Sequence, residues 1–385
     1  MRTTLCRVLS VAIAMRVTLA CSILFGTALP SSLVLANTPA APQNLRIGGA
    51  GDPGGPPQIV SLNLPDEPVQ GAPASITGLN FGAKAPAAPL HWDDFSEGQV
   101  GADIRTPSQG IAYAQATSGI TTYTNEACYS GVLCVHSHST PAIGGVGLAV
   151  MVAEPQRQLF GSAKIKLRSS DGSVGYIGSK YFRINTNSDG SFVHGLPSFD
   201  LDLRRALLTD PPTPQYSISA SVNQQAGGWN FTGYEEIPHD QWVEVSSWAR
   251  AGDVDQANGL VGRSFFGSVA QTSGVTLNSS AVLNGYRNVA IVAYIDRNAA
   301  PGRIVEIYID DVYIDRSLAR VVLTENADWQ NHGREAFQIP TSWSSTSVEF
   351  KLNLGGFTTT QINNGLYLHV LNADGVVSNP MAVSF

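Results

Sequence analysis

The chain has 385 residues, a net charge of −7 and only 14% charged residues, with 38 glycines and 22 prolines. Apolar residues make up 43% of it, enough for real cores, so disorder of the whole chain is excluded. No basic patch or Lys/Arg stripe occurs, which argues against nucleic acid as a partner.

Residues 1–36 predict a secretory signal. Arg16 precedes an apolar run from Val17 to Phe25, and Val34-Leu35-Ala36 supplies small residues for cleavage before Asn37. Met15-Arg16 would open a signal of ordinary length, so Met15 is read as the natural start. Arg16 and Pro30 bound the run too tightly for a membrane span. The expected location is therefore secreted (extracellular, cell-surface or periplasmic), with no span in the mature chain. Cys6 and Cys21 leave with the signal. Cys128 and Cys134, with five residues between them, suit a local disulfide across a hairpin. A zinc site that added His136 and His138 is the lesser alternative.

Residues 37–57 are rich in Ala, Pro and Gly and read as a linker. From Ile59 onward alternation dominates, as in Ala163–Arg168, Val348–Leu354 and Leu366–Val370. Period two with one apolar face describes antiparallel sheets covering a core. Asn288–Ile295 is nearly all apolar and predicts a strand buried on both sides. The best short helix is Asp200–Leu208. Turns such as Ser170-Asp171-Gly172 and Ala373-Asp374-Gly375 punctuate the runs. The expected class is all-β, with antiparallel β-sandwiches.

Two resemblances refine this. Pro57-Gln58-Ile59-Val60, Gly71 and Ala74-Ser75-Ile76-Thr77-Gly78-Leu79-Asn80-Phe81-Gly82 resemble the opening of an IPT/TIG-type immunoglobulin-like domain. Phe337–Pro340, Val348–Leu354, Gly365–Val370 and Ala382–Phe385 resemble its later strands. Between them, His91-Trp92-Asp93-Asp94-Phe95, His239–Val245 and Val305–Asp315 resemble a concanavalin-like lectin/glucanase jelly roll whose last strand pairs with its first. The implied architecture is a jelly roll inserted in, or flanked by, a smaller immunoglobulin-like sandwich. Its parts are 58–89 and 318–385 for the smaller sandwich and 90–317 for the jelly roll, which is expected to fold when expressed alone.

The jelly-roll resemblance implies a structural calcium ion near Asp93, Glu97 and Asp310, hard oxygens of the kind calcium prefers. Asn185-x-Asn187-x-Asp189-Gly190 echoes a calcium loop, but Leu196 stands where a bidentate Glu is needed. Hydrolytic members of the family carry a Glu-x-Asp-x-(x)-Glu strand that is missing here, although Asp200 and Asp202 offer two carboxylates on one strand face. Lyase members need a Tyr/His base with Arg and Gln. Residues of the Tyr, His and Arg types occur at Tyr181, Arg183 and His194 without the family's catalytic strand. Trp229, Asn230, Phe231 and Tyr234 form a candidate sugar platform of stacking rings and polar partners. Trp92, Trp242, Trp248 and Trp343 read as core. The favoured expectation is a secreted, non-catalytic protein that binds polysaccharide or cell-surface glycan or serves as a surface or matrix module. The alternative is a polysaccharide lyase or glycoside hydrolase working on the concave face. Two or more of Tyr181, Arg183, His194, Asp200 and Asp202 gathered in one open groove would favour the enzyme, and their scatter would count against it.

Overall fold

The computed structural model describes residues 55–116, 120–138, 147–169, 179–185, 198–205, 216–223, 230–234, 240–265, 267–275, 285–295 and 304–385. The expected signal, most of the expected linker, His194 and Trp229 lie outside them.

In chain order, β1 (Gln58–Asn63) and β2 (Pro73–Leu79) come first, then β3 (His91–Asp93), β4 (Gln109–Gly110), β5 (Tyr113–Ala116), β6 (Thr122–Thr124) and β7 (Cys134–His138). Next are β8 (Leu148–Gln156), β9 (Gln158–Ser169), β10 (Ser179–Asn185), β11 (Ser198–Arg205), β12 (Tyr216–Asn223) and β13 (Asn230–Tyr234). β14 (Trp242–Arg250), β15 (Gly259–Phe265), β16 (Ser268–Val275), β17 (Tyr286–Ile295) and β18 (Val305–Asp315) follow. β19 (Arg320–Thr324), β20 (Glu335–Phe337), β21 (Ile339–Trp343), β22 (Ser347–Lys351), α1 (Thr359–Asn364), β23 (Leu366–Leu371) and β24 (Met381–Val383) close the chain. All pairings are antiparallel, so the expected all-β sandwich class holds.

The larger sandwich stacks a seven-stranded sheet, β13-β12-β11-β10-β17-β8-β5, on a nine-stranded one, β16-β15-β14-β9-β18-β3-β4 with β6 and β7 beside β18. Its core alternates along the strands: Leu159, Ala163, Ile165 and Leu167 of β9 meet Leu148, Val150, Val289 and Ile291 of the opposite sheet. Each large side chain buried this way contributes about 1.5–3 kcal/mol. The last strand pairs with the first, Val312 with Asp93 and Ile314 with His91, so the entry and exit of this sandwich adjoin. A bulge at Asp310–Asp311, with Asp311 at φ 48°, interrupts β18.

The smaller sandwich packs β1-β2-β22-β21 against β20-β19-β23-β24. Strands from both ends of the chain share its first sheet, with Ala74 opposite Phe350 and Ile76 opposite Val348. Ile76, Phe81, Val321, Leu323, Val348, Phe350 and Leu368 fill its core. α1 starts on a capping box, Thr358 with Gln361, that sequence reading passed over.

The alternation on β9 has a second consequence. Phe160 and Lys164, which face away from the jelly-roll core, are buried too, because the smaller sandwich covers them. Phe160 packs edge-on to Phe337 at 5.6 Å, and Tyr313 stacks on Phe337 at 5.0 Å. Trp248 is buried on this outer face, over Gly262, where an added Cβ would come within 2.2 Å of the indole. Lys84 pairs with Asp315 at 2.6 Å, both side chains 1% exposed. A piece cut to residues 90–317 would expose Phe160 and Tyr313, which pack on Phe337, and strand Asp315 without Lys84.

Three smaller expectations change. Asp200–Arg205 belongs to strand β11, not a helix, because Leu201 and Leu203 alternate with Asp200 and Asp202 in register with β10 and β12. Trp242 and Trp343 are half-buried; only Trp92 and Trp248 are enclosed. Cys128 and Cys134 form the expected disulfide in the β6–β7 connection. Replacing both with Ser is expected to lower stability by about 2 kcal/mol, read from the denaturation midpoint; an unchanged midpoint would show that the short loop is held by its other contacts.

Candidate functional site: the outer face of the seven-stranded sheet

Two outer surfaces are available to the larger sandwich, and the smaller sandwich covers much of one. The other is the outer side of the seven-stranded sheet, and strand register defines what lies on it. Ile184 of β10 is buried in the core, so its neighbour Arg183, which is half-buried, belongs to the opposite face. Arg183 stands opposite Ala290 of β17 and Asp200 of β11. The same row continues through Ala149 on one side and through Ser221 and Asn230 on the other. Next to it runs a row of a thioether, three amides and a hydroxyl: Met151, Asn288, Asn185, Ser198 and Asn223. On the other side lie Lys180, Asp202, Ser219 and Thr232. Arg204, Ser217 and Tyr234 form a further row.

This face therefore joins cations, carboxylates, amides and hydroxyls across adjacent strands, with small residues flanking Arg183. Asn288 is 1% exposed, and neither of its amide atoms has a hydrogen-bond partner among the described residues. Such an amide is a demand for a polar partner. Sequence reading took Asn288 as the start of an apolar strand and missed it. Its signal was a lone amide at the head of a run otherwise suited to burial.

Of the five residues weighed for the enzyme alternative, register brings Arg183, Asp200 and Asp202 to one face. Tyr181 falls at the bulge between Lys180 and Phe182, and His194 lies outside the described residues. The sugar platform divides. Asn230 and Tyr234 occupy rows of the outer face, whereas Phe231 stands opposite Ala220 in the row that runs through Leu201, Phe182 and Ile291 to Leu148 of the core. Trp229 is outside the described residues.

The expected calcium ligands are occupied otherwise. Asp93 accepts from Phe95 N at 2.9 Å, from Ser108 Oγ at 3.1 Å and from Tyr113 Oη at 3.0 Å. Burial outweighs these donors and pushes its carboxyl up to about 7. Asp310 accepts the backbone N–H groups of Tyr129, Ser130 and Asp311. Glu97 is exposed. Among the described residues, no group of three or more His, Cys, Asp or Glu side chains is placed to hold a metal ion. His136 and His138 do share a face, with rings 5.9 Å apart, but the cysteines of the alternative zinc set are spent in the disulfide.

No protein-family model and no curated protein matches the chain. Solved structures do. The chain is similar to the alginate lyase Aly36B, with 11% identity over 60% of this chain and 98% of that one and a TM-score of 0.43. It is similar to a marine alginate lyase from Aplysia kurodai, with 10% identity over 50% and 86% and a TM-score of 0.38. It is also similar to an endo-β-1,4-glucuronan lyase from the fungus Trichoderma reesei, with 10% identity over 64% and 95% and a TM-score of 0.36. The likeness is one of fold, a jelly-roll β-sandwich.

The favoured sequence expectation, a non-catalytic binding or matrix module, is corrected here. The structures just named are polysaccharide lyases; of the five residues weighed for an enzyme, Arg183, Asp200 and Asp202 share one face of the sheet. The non-catalytic reading is set aside.

Proposed function

We propose that this protein is an enzyme that cleaves an acidic polysaccharide by β-elimination on the outer face of the seven-stranded sheet. The observation that carries the reading is the row placing Arg183 between Ala290 and Asp200, beside the amide row of Asn185 and Asn288. β-Elimination removes the proton next to a uronate carboxylate, forms a ring double bond and expels the glycosidic oxygen, which takes up a proton. Its barrier falls when cations and amide donors neutralise that carboxylate, because charge then develops against fixed partners. Arg183, Lys180 and Arg204 are cations on this face, and Asn288 is a buried donor without a described partner. A Tyr or Lys near Arg183 would serve as the proton carrier. Tyr181 and Lys180 are the two candidates on β10.

In this reading the smaller sandwich, split between 58–89 and 318–385, is an IPT/TIG-type carrier of the catalytic sandwich. The chain is exported by residues 1–36, which are then removed, and meets acidic polysaccharide outside the cell.

The test incubates the full chain with alginate and polyglucuronate, with a neutral glucan as control. Ultraviolet absorbance of the conjugated double bond and new reducing ends are followed together. Both signals on an acidic polymer alone support elimination. Reducing ends without the absorbance would mean hydrolysis by Asp200 and Asp202 instead, and neither signal on any polymer would defeat the enzyme reading.

A further inference from the structure

We infer that the smaller sandwich is fastened to the larger one by a proton-dependent clamp centred on His332, whose charged ring favours the docked state. His332 follows a 3-10 turn at Trp329–Asn331 and is fully buried. Its Nδ1 is 2.8 Å from the carbonyl oxygen of Trp329, and its Nε2 is 3.1 Å from Oε2 of Glu335. The second contact has ion-pair distance but not the angle of a hydrogen bond. Each ring nitrogen thus faces an acceptor. A neutral imidazole has one N–H and leaves an acceptor opposed; only the imidazolium suits both. The Trp329 ring, stacked at 4.6 Å and 22°, adds a face that a cation prefers.

Glu335 carries this charge across the interface. Its Oε1 lies 4.0 Å from Lys164 Nζ of β9, and its backbone N–H donates to Glu244 Oε2 of β14 at 2.9 Å. Lys164 Nζ sits 3.5 Å from Glu244 and donates to the Glu335 carbonyl at 3.1 Å. Tyr129 donates its hydroxyl to Glu244, and the Arg334 guanidinium lies 5.1 Å from the Tyr129 ring. Around His332, β19 contributes Arg320, 5.9 Å from the Trp329 ring, and β23 contributes His369, whose ring is 5.4 Å from it. Asp328 caps the turn, and Glu325 accepts from Arg334 N. From the larger sandwich, Gly267 approaches so closely that a Cβ there would lie 3.4 Å from the imidazole. His369 is held down to about 4 by burial and stays neutral. The clamp therefore sets two acids, Glu335 and Glu244, the second with its carboxyl pushed up by burial, against Lys164 and His332, with Arg320 behind.

The sign follows from the geometry. Burial opposes a charge on His332, but Glu335 and the Trp329 carbonyl outweigh it and raise the imidazole above its ordinary 6.5. Burial likewise opposes the Glu335 charge, yet His332 and Lys164 hold that carboxyl down to about 2, so it stays ionised. A group raised in the folded state gives stability that is complete below its unfolded pKa and is lost as pH rises through the folded value. The clamp is thus tight in mild acid and slack in mild alkali.

The experiment compares denaturation of the full chain, wild type and His332→Gln, from about pH 6 to about pH 9, the range that brackets a raised histidine. The variant is expected to be less stable at the acid end, by about tenfold in the unfolding equilibrium per unit of raised pKa, and the gap is expected to close toward the alkaline end. A gap that does not change with pH overturns the inference. Should His332→Gln fail to fold, Glu335→Gln serves: it should flatten the same part of the wild-type pH dependence. An unaltered dependence in that variant would also overturn it. A second readout is the fluorescence of Trp329, stacked on His332, whose titration step should vanish in Glu335→Gln or move to lower pH. A step that stays in place counts against the clamp.

Discussion

Replacing Lys84 with Met is expected to lower the stability of the folded chain by about 3–5 kcal/mol. The ammonium lies 2.6 Å from Asp315 Oδ2, and both side chains are 1% exposed. Tyr313 donates to the same carboxylate oxygen at 3.0 Å. Burial lowers the Lys84 pKa and raises that of Asp315, while their mutual attraction holds the charges in place. Without Lys84, Asp315 must stay buried without a cation or take up a proton, and either is costly. Lys84 belongs to the segment that leads into β3, and Asp315 ends β18, so the pair staples together the adjoining entry and exit of the larger sandwich. Urea denaturation at neutral pH checks this. Adding Asp315→Leu should recover a large part of the loss, because the uncompensated charge is then gone too. A Lys84→Met loss under about 1 kcal/mol, the range of exposed pairs, would mean that the pair is solvated.

Arg183→Ala is expected to reduce cleavage of an acidic polysaccharide by about a hundredfold or more, the scale of losing one preorganised charge-stabilising group. The argument is positional. Arg183 sits mid-sheet, with alanines Ala290 and Ala149 on one side of its row and Asp200 on the other. A cation with low neighbours on one side leaves room for a sugar ring. Ala substitution there removes charge without emptying a core, since the core-facing neighbour is Ile184. The denaturation midpoint is measured beside the rate, so that a loss of cleavage in a folded variant is separated from a loss of structure. Initial rates on alginate and polyglucuronate check it. Full activity in a folded Arg183→Ala variant would remove Arg183 from the site.

Sequence reading reached the fold through period two, because a half-buried strand has to alternate. Val348, Phe350 and Leu352 lie in the smaller core as expected. It mistook the meaning of polar alternation on β9. Lys164 looks like a solvated residue in sequence, yet it is buried, because a second sandwich with its own acid, Glu335, covers that face. No local pattern records a partner that lies some 170 positions away. Asp200 and Asp202 were legible as two carboxylates on one strand face. Their meeting with Arg183 was not, since it depends on the pairing of β10 with β11. Asn288 was hidden for a related reason: an amide in an apolar run reads as strand punctuation until its row shows what stands beside it. The calcium expectation rested on the jelly-roll resemblance, and no sequence pattern showed that Asp93 and Asp310 accept from backbone and hydroxyl donors.

The central claim is that function resides on the outer face of the seven-stranded sheet. Hydrogen exchange of the full chain, with and without an acidic oligosaccharide such as an oligoalginate, tests it most directly. Protection is predicted in β10, β11 and β17, around Arg183, Asp200 and Asn288, with no change in β9 and β14 of the covered sheet. Protection confined to β9 and β14, or absent from β10, β11 and β17 while the polymer is still cleaved, would contradict it.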